Sequence, residues 1–246
     1  MTDTTQQVAL VTGASRGIGR AIALKLAEDG FAVAVTYTGN AKLAEQVVAD
    51  IEASGGHGLA LQADIGDSMS VTQLFNAVQE AFGRLDVVVN NAGIMQMATI
   101  SSDNVEVLDR MLATNLRGSW LVMAKAAEML GNGGRIIALS SSVLAKSFPA
   151  YGAYIASKAG VEGLVKVLAN EMRGRGITVN AVAPGPVATE MFFEGKSDEQ
   201  IASIAAMAPL ERLGQPDEIA AAIAFLASPQ GSWINGQILR ANGGFA

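Results

Sequence analysis

Short runs of apolar residues alternate with longer amphipathic segments along the chain. The runs are continuous rather than alternating, a pattern typical of strands that are buried on both faces. They predict strands at residues 8–12, 33–37, 58–62, 87–90, 135–139, 178–183 and 237–241. Segments of helical length lie between them, at residues 17–29, 41–54, 69–82, 105–130, 154–173 and 217–226. Because parallel strands joined by right-handed crossover helices form a doubly wound sheet, the pattern predicts an α/β fold with about seven parallel strands.

Residues 189–214 depart from this alternation. They contain a short helical pattern, DEQIASIAAMA, but no strand-like run before the next helix. An insertion after a strand of an open parallel sheet lies at the edge where such sheets bind ligands. We therefore expect a small helical substrate lid here, with a surface helical hairpin as the alternative. No linker or repeat interrupts the remainder, so residues 1–246 are expected to form a single domain.

The composition excludes several classes of function. Half of the 246 residues are hydrophobic, 16% are charged, and the net charge is −6. Such an acidic chain offers no basic surface, so neither nucleic acid nor a membrane is expected as a partner. There is no cysteine, no Asp/Glu cluster has ligand spacing, and the single histidine, His57, lies in a glycine-rich turn. A metal site and a Ser-His-Asp triad are therefore not expected.

The N-terminus, MTDTTQQ, lacks the basic and apolar regions of a signal peptide. The apolar runs are also too short to cross a membrane. Together these features predict a soluble, cytoplasmic protein.

A glycine-rich turn follows the first predicted strand. Its sequence is TGASRGIG, at residues 12–19, with the spacing GxxxGxG. Gly13 would allow a tight turn, and Gly17 and Gly19 would let the backbone approach a pyrophosphate at the N-terminus of the first helix. The turn therefore predicts a dinucleotide phosphate site.

Several spaced motifs resemble those of the short-chain dehydrogenase/reductase family. They are TGASRGIG, NNAG at 90–93, Asn115, a serine ahead of YIASK at 154–158, PGPVAT at 184–189 and a terminal NGGFA. The resemblance covers nearly the whole chain. It implies a single-domain Rossmann-like fold, a homotetramer, and hydride transfer between NAD(H) or NADP(H) and a small carbonyl or alcohol substrate.

The same resemblance implies the cofactor-binding residues. The glycine-rich turn would hold the phosphates, the ends of the third and fourth strands the adenosine, and the segment after the sixth strand the nicotinamide carboxamide. In that order the residues are Gly13, Ser15, Arg16, Gly17, Ile18 and Gly19; Asp64, Ile65, Asn91, Ala92 and Gly93; Pro184, Gly185, Val187 and Thr189. Tyr154 and Lys158 complete the set, and Asp64 has a helix cap as its alternative role.

The end of the second strand indicates which nicotinamide cofactor is used. Sites that prefer NAD carry an acidic residue there, which binds the ribose 2′-hydroxyl, but this chain has Tyr37. Arg16 can pair with a 2′-phosphate, and Thr38 and Asn40 can add hydrogen bonds. We therefore expect NADPH/NADP+, with NAD as the alternative.

The segment at residues 140–158 contains the candidates for proton transfer. Reduction of a carbonyl leaves negative charge on oxygen, so a proton donor is needed beside it. Tyr154 and Lys158 are four residues apart on a predicted helix and so share a face, whereas Tyr151 has no lysine at that spacing. We expect Tyr154 to be the acid and base, and the Lys158 ammonium, assisted by the cofactor's nicotinamide, to lower the pKa of Tyr154 toward neutrality. Tyr151 is expected to line the substrate pocket or to pack.

Two further catalytic residues are implied by the resemblance alone. The serine that polarises the substrate carbonyl lies thirteen positions before the tyrosine in the family, which selects Ser141 here and leaves Ser142 as its rival. Asn115 matches the residue that holds a water in a proton relay to the lysine, with an ordinary polar residue in a helix bend as the alternative.

The substrate class is less well indicated. Carbonyl reductases and 3-oxoacyl-(acyl carrier protein) reductases are the nearest members by motif. Arg175 matches a carrier-protein docking position, but Asn132 stands where a second docking arginine would be. Since the carrier protein is acidic and so is this chain, a small-ketone reductase is favoured. An apolar pocket is expected from Met95, Met97, Met191, Phe192 and Phe193. A catalytically silent nucleotide-binding regulatory protein is the alternative from another class.

Overall fold

The fold is described from a computed structural model covering residues 6–246. Residues 1–5, which form most of the N-terminal segment considered for a signal peptide, lie outside the described residues. The strands are β1 (Val8–Val11), β2 (Ala32–Tyr37), β3 (Gly58–Gln62), β4 (Val87–Asn90), β5 (Arg135–Leu139), β6 (Thr178–Pro184) and β7 (Ile238–Ala241). They form a parallel sheet in the order β3-β2-β1-β4-β5-β6-β7, which confirms the doubly wound, Rossmann-like α/β fold.

Helices cover both faces of this sheet. They are α1 (Gly17–Glu28), α2 (Ala41–Ala53), α3 (Ser68–Phe82), α4 (Val105–Met111), α5 (Gly118–Met129), α6 (Gly152–Glu171), α7 (Glu190–Phe193), α8 (Asp198–Ala205) and α9 (Pro216–Ala227). Leu10 and Ile136 pack into the core shared with α3, α5 and α6, whereas their neighbours Val11 and Ile137 pack into the core shared with α1, α2 and α9. Successive strand residues point to opposite faces, which is why the apolar runs are continuous.

The helix predicted at residues 105–130 is interrupted. α4 ends at Met111, a π-helical turn covers Leu112–Arg117, and α5 begins at Gly118. Such turns insert one extra residue into a helix and frequently lie at functional sites. Here the turn contains Asn115, whose main-chain carbonyl oxygen accepts a hydrogen bond from the Ser119 hydroxyl at 2.5 Å.

The segment after β6 contains α7 and α8 and returns to the sheet edge. Val187 forms an isolated parallel bridge with Gly214, so the two ends of the segment are held together. A capping box of Ser197 and Gln200 begins α8. In the described part of the chain, no helix is both long and apolar enough to span a membrane. The same residues contain no group of three or more His, Cys, Asp or Glu side chains that could hold a metal ion.

Candidate active site

A cleft of about 880 Å³ lies beyond the carboxyl ends of the strands. That volume is within the range of small-molecule and cofactor sites. It brings together residues that the sequence places far apart. All the expected cofactor residues line it, namely Gly13, Ser15, Arg16, Gly17, Ile18, Gly19, Tyr37, Thr38, Asn40, Asp64, Ile65, Asn91, Ala92, Gly93, Tyr154, Lys158, Pro184, Gly185, Val187 and Thr189. Ser141 also lines it, whereas Asn115 lies behind its wall, fully buried.

The glycine-rich turn is packed tightly against the end of β4. Gly13 has a φ of +63°, and a Cβ on it would lie 2.9 Å from the Cα of Ala92. A Cβ on Gly19 would lie 2.3 Å from the carbonyl oxygen of Gly13. The missing side chain of Gly19 therefore makes room for the turn itself, and the expected approach of the backbone to a pyrophosphate stays a prediction.

Asn91 holds this turn in place, a role that its position after β4 did not reveal. Its Nδ2 donates to the carbonyl oxygens of Thr12 and Gly13 at 2.8 and 2.9 Å. The Thr12 hydroxyl in turn accepts from the backbone N–H groups of Asn91 and Ala92, both at 3.0 Å. These bonds fix the end of β4 against the phosphate turn.

The N-terminus of α1 is suited to a phosphate. α2 and α3 are capped by the side chains of Asn40 and Asp67, but among residues 6–246 no side chain caps α1 at Arg16. Its first N–H groups therefore have no side-chain partner, and the helix dipole favours an anion beside them. Because the glycine turn and the start of α1 both line the cleft, they fit the pyrophosphate of a dinucleotide.

The adenosine end of the cleft is less free than expected. The side-chain oxygen Oδ1 of Asn40 accepts a hydrogen bond from Leu43 N at 3.3 Å as the cap of α2, and the amide N–H groups of the same side chain can serve a ligand. The Thr38 hydroxyl lies 3.4 Å from the Ala63 carbonyl oxygen. Asp64 accepts from Gly66 N at 2.8 Å within its own turn. Since Asp67 caps α3, the alternative role of Asp64 as that cap is wrong.

Gly93 lies close to the reaction centre. A Cβ on Gly93 would lie 3.2 Å from Asn115 Oδ1 and 3.5 Å from Lys158 Nζ. The expected contact of Gly93 with the adenosine stays a prediction. The close approach of Lys158 is possible because residue 93 has no side chain.

The reaction centre is built on α6 and the end of β5. Tyr154 and Lys158 lie one turn apart, and Lys158 Nζ is 5.9 Å from the centroid of the Tyr154 ring. Lys158 Nζ donates to the Leu139 carbonyl oxygen at 2.8 Å, so its ammonium is fixed in a buried position. Tyr151 lines the cleft and packs its ring against Phe148, with the ring centroids 5.7 Å apart.

Burial shifts the pKa values of both Tyr154 and Lys158. Burial raises the pKa of Tyr154 to about 12, although the hydrogen bond with Ser141 opposes this increase. Burial also lowers the pKa of Lys158 to about 8. The lowering of the Tyr154 pKa toward neutrality, which we expect with the nicotinamide bound beside Lys158, stays a prediction. In the free protein, desolvation of the phenolate is the largest cause of the raised pKa of Tyr154.

The three adjacent serines have different surroundings. Ser140 donates to Glu162 Oε1 at 2.6 Å. Ser142 donates to the Ala183 carbonyl oxygen at 2.7 Å and accepts from Asn242 Nδ2 at 2.9 Å, and it does not line the cleft. Ser141 begins the helical turn at Ser142–Ala145, and its hydroxyl faces Tyr154.

Asn115 links three elements around the reaction centre. Its Nδ2 donates to the Ile94 carbonyl oxygen at 2.8 Å and to the Ser157 hydroxyl at 3.1 Å, and its Oδ1 accepts from Ile94 N at 2.8 Å. Both amide N–H groups are thus already used within the protein. The side chain therefore holds the segment after β4, and the expected role of Asn115 in holding a relay water stays a prediction.

The wall opposite the glycine turn is apolar. Met95, Met191 and Phe192 line it as expected, but Met97 and Phe193 do not. Further apolar lining comes from Phe245 of the terminal NGGFA and from residues that no motif indicated, among them Ile94, Phe148, Ile204 and Met207. They come from separate loops, from the end of α8 and from the C-terminus, so no local spacing could have brought them together.

Arg175 is not available as a docking residue. Its guanidinium donates to the carbonyl oxygens of Ala127 and Leu130 at the C-terminal end of α5. A cation there satisfies free carbonyl groups and complements the helix dipole. The match with a carrier-protein docking position is therefore better explained as a helix cap.

Comparison with known proteins shows the family to which the chain belongs. The family model described as enoyl-(acyl carrier protein) reductase matches residues 13–246. A chloroplastic NADPH-dependent aldehyde reductase-like protein of Arabidopsis thaliana is 44% identical over 253 residues, covering 97% of this chain and 94% of that protein. A 3-oxoacyl-[acyl-carrier-protein] reductase of Staphylococcus aureus is 45% identical over 238 residues, covering 96% of each. The chain belongs to the short-chain dehydrogenase/reductase family.

A solved structure of the family extends this similarity to three dimensions. A short-chain dehydrogenase from Burkholderia cenocepacia J2315, in complex with NADP, has a TM-score of 0.92 and 40% sequence identity, covering 99% of both chains. As a short-chain dehydrogenase/reductase, the protein is an NAD(P)-dependent oxidoreductase that acts on a small-molecule substrate.

Proposed function

We propose that the protein is an NADPH-dependent carbonyl reductase that interconverts a small ketone or aldehyde and its alcohol. The observation that carries this proposal is the meeting of the Tyr154 and Ser141 hydroxyls beside the buried Lys158, in one cleft with an uncapped helix N-terminus. A nicotinamide cofactor bound there supplies the hydride. The residues of the glycine turn would hold its phosphates, and those around Lys158 and Val187 its nicotinamide end.

Proton transfer is assigned to Tyr154. With a pKa of about 12, its hydroxyl is protonated at neutral pH and can donate to the oxygen of a carbonyl being reduced. The Ser141 hydroxyl would donate a second hydrogen bond to the same oxygen and stabilise its negative charge. The Lys158 ammonium, held by Leu139, is placed to stabilise the Tyr154 phenolate after the proton has left. Oxidation of the alcohol uses the same groups in reverse.

Tyr154→Phe tests this assignment while retaining the ring. We expect kcat to fall by about 10²–10⁴, because general acid catalysis is lost, and the Kd for NADPH to change little. Tyr151→Phe is the matched control, since it removes the other cleft hydroxyl of the same helix end. Equal losses in both variants, or substantial kcat in Tyr154→Phe, would contradict the role of Tyr154.

The preference for NADPH is supported by Tyr37 and Arg16. No carboxylate follows β2 to bind a ribose 2′-hydroxyl, and Arg16 lines the cleft with an exposed guanidinium. The plant relative is described as NADPH-dependent, and the Burkholderia cenocepacia structure is a complex with NADP. We expect a higher kcat/KM with NADPH than with NADH. We also expect Arg16→Ala to reduce the ratio of the kcat/KM for NADPH to the kcat/KM for NADH. A higher value with NADH would refute the preference.

A small carbonyl compound is favoured over an acyl carrier protein. The apolar wall fits an uncharged substrate, and Arg175 caps α5 rather than facing a partner. The relative from Staphylococcus aureus keeps 3-oxoacyl-(acyl carrier protein) reduction as the second candidate. Comparing acetoacetyl-carrier protein with aryl ketones and aldehydes separates the two, and a higher kcat/KM for the carrier-linked substrate would reverse our choice. NADPH oxidation with any of them would exclude a catalytically silent regulatory protein.

The lid and the tetramer are also proposed. The segment 189–214 contributes Met191, Phe192, Ile204 and Met207 to the cleft, as a substrate lid would.

Trp120 on α5 and Val167 on α6 are 61% and 57% exposed, which suits helices that pack against another subunit. Light scattering on the purified protein tests the homotetramer directly.

A further inference from the structure

An ion pair joins the phosphate turn to the segment that follows β6. Arg16 Nη1 lies 3.2 Å from Glu190 Oε2, although 174 positions separate the two residues in sequence. Arg16 immediately precedes α1, and Glu190 is the first residue of α7. Both side chains line the cleft, and both are largely exposed, at 60% and 77%.

Glu190 is held in this place by more than the ion pair. The methyl group of the preceding Thr189 would lie 3.6 Å from a Cβ on Gly17, so the two segments are already close at the start of α1. The Thr189 hydroxyl also accepts from Phe192 N at 3.2 Å, which fixes the start of α7. The carboxylate of Glu190 is therefore the protein's own anion beside the arginine expected to meet a phosphate.

Such a carboxylate competes with a phosphate for the same guanidinium. An exposed pair of this kind is weak, because both ions remain hydrated and the side chains lose freedom. A phosphate can pair with arginine through two parallel hydrogen bonds and carries more charge than a carboxylate. Arg16 can therefore exchange Glu190 for a phosphate, at a modest cost set by the strength of the pair.

We propose that Glu190 is a specificity-determining residue that reduces the preference for NADPH over NADH by occupying Arg16 in the free enzyme. The 2′-phosphate of NADPH must displace the Glu190 carboxylate from Arg16. NADH has no 2′-phosphate, so it binds with the pair intact. This inference rests on the proposed use of NADPH and assigns a residue that opposes it.

Glu190→Gln tests the role with little change in shape. We expect the Kd for NADPH to fall by about two- to fivefold and the Kd for NADH to change less, as measured by fluorescence titration of each nucleotide. In an Arg16→Ala background the same substitution should leave the ratio of the two Kd values unchanged. Glu194→Gln is the matched control, because Glu194 follows α7, is exposed and does not line the cleft.

Three results would overturn the inference: an unchanged ratio in Glu190→Gln, an equal change in the Arg16→Ala background, or an equal change in Glu194→Gln. If the unsubstituted protein binds NADPH no more tightly than NADH, or if Arg16→Ala leaves the ratio unchanged, the use of NADPH fails and this inference fails with it. An Arg16-dependent preference for NADPH that does not respond to Glu190→Gln refutes the role of Glu190 alone.

Discussion

The buried ammonium of Lys158 should make the free protein less stable at neutral pH than at high pH. Burial lowers the pKa of Lys158 from 10.5 to about 8, while Nζ keeps its hydrogen bond to the Leu139 carbonyl oxygen. This difference corresponds to about 3 kcal/mol, at about 1.36 kcal/mol per pH unit. Lys158→Met removes the charge and keeps a side chain of similar length, which makes it the variant for comparison.

The pH range of the effect follows from where the proton is bound. Below pH 8 the amine is protonated in both the folded and the unfolded chain, so the penalty of burying the charge is fully present. Between about pH 8 and 10.5 only the unfolded chain keeps the proton, and the free energy of unfolding rises with pH. Above 10.5 the amine is neutral in both states and the penalty is gone.

Urea unfolding of the nucleotide-free protein, followed by circular dichroism between about pH 7 and 10.5, measures this effect. We expect the unfolding free energy of the unsubstituted protein to rise by about 3 kcal/mol relative to Lys158→Met over that range. Lys166→Met serves as the control, because Lys166 lies on the same helix but is exposed. The reasoning would be refuted if the unfolding free energy of the unsubstituted protein, relative to that of Lys158→Met, stayed constant or fell with pH. It would also be refuted if the unfolding free energy of the unsubstituted protein rose by a similar amount relative to that of Lys166→Met.

Two further pairs of variants test positions where the sequence alone is ambiguous. Ser141→Ala should lower kcat/KM by about 10–100-fold with little loss of stability. Ser142→Ala should lower the unfolding free energy by about 1–3 kcal/mol and keep most of the activity. A larger loss of kcat/KM in Ser142→Ala than in Ser141→Ala would select Ser142 as the catalytic serine. Gly19→Ala should destabilise the protein because its Cβ would lie 2.3 Å from a carbonyl oxygen, while Gly163→Ala, with nothing within 4 Å, should stabilise α6 by about 0.5–1 kcal/mol. Thermal melts of the two glycine variants measure this contrast, and a stabilised Gly19→Ala would contradict the packing of the turn.

The parts of the site that the sequence predicts are those encoded by local spacing. The glycine turn and the pair Tyr154 and Lys158 each require residues a few positions apart on one turn or one helix face, so sequence distance equals spatial proximity. The strand pattern then places each motif at the same edge of a parallel sheet, because every carboxyl end points the same way. Hence the expected cofactor residues line one cleft.

The parts that the sequence misses depend on packing between distant segments. Phe245 and Phe148 meet in the wall with ring centroids 6.3 Å apart, although neither belongs to a motif that indicates the other. Arg175 matches a docking position by sequence but caps α5 because that helix ends beside it. The pKa of Tyr154 depends on how much protein surrounds the phenol, a quantity that spacing does not contain.

The reaction centre is positioned mainly by side chains that bind main-chain groups. Asn115 holds the backbone of Ile94, Lys158 holds the carbonyl of Leu139, and Ser142 holds the carbonyl of Ala183, so the ends of β4, β5 and β6 are each tied to a buried polar residue. Since these bonds need dry surroundings to be strong, the burial that fixes the geometry is the same burial that raises the pKa of Tyr154. The free protein therefore keeps Tyr154 protonated at neutral pH, which is the form required to donate a proton to a carbonyl oxygen.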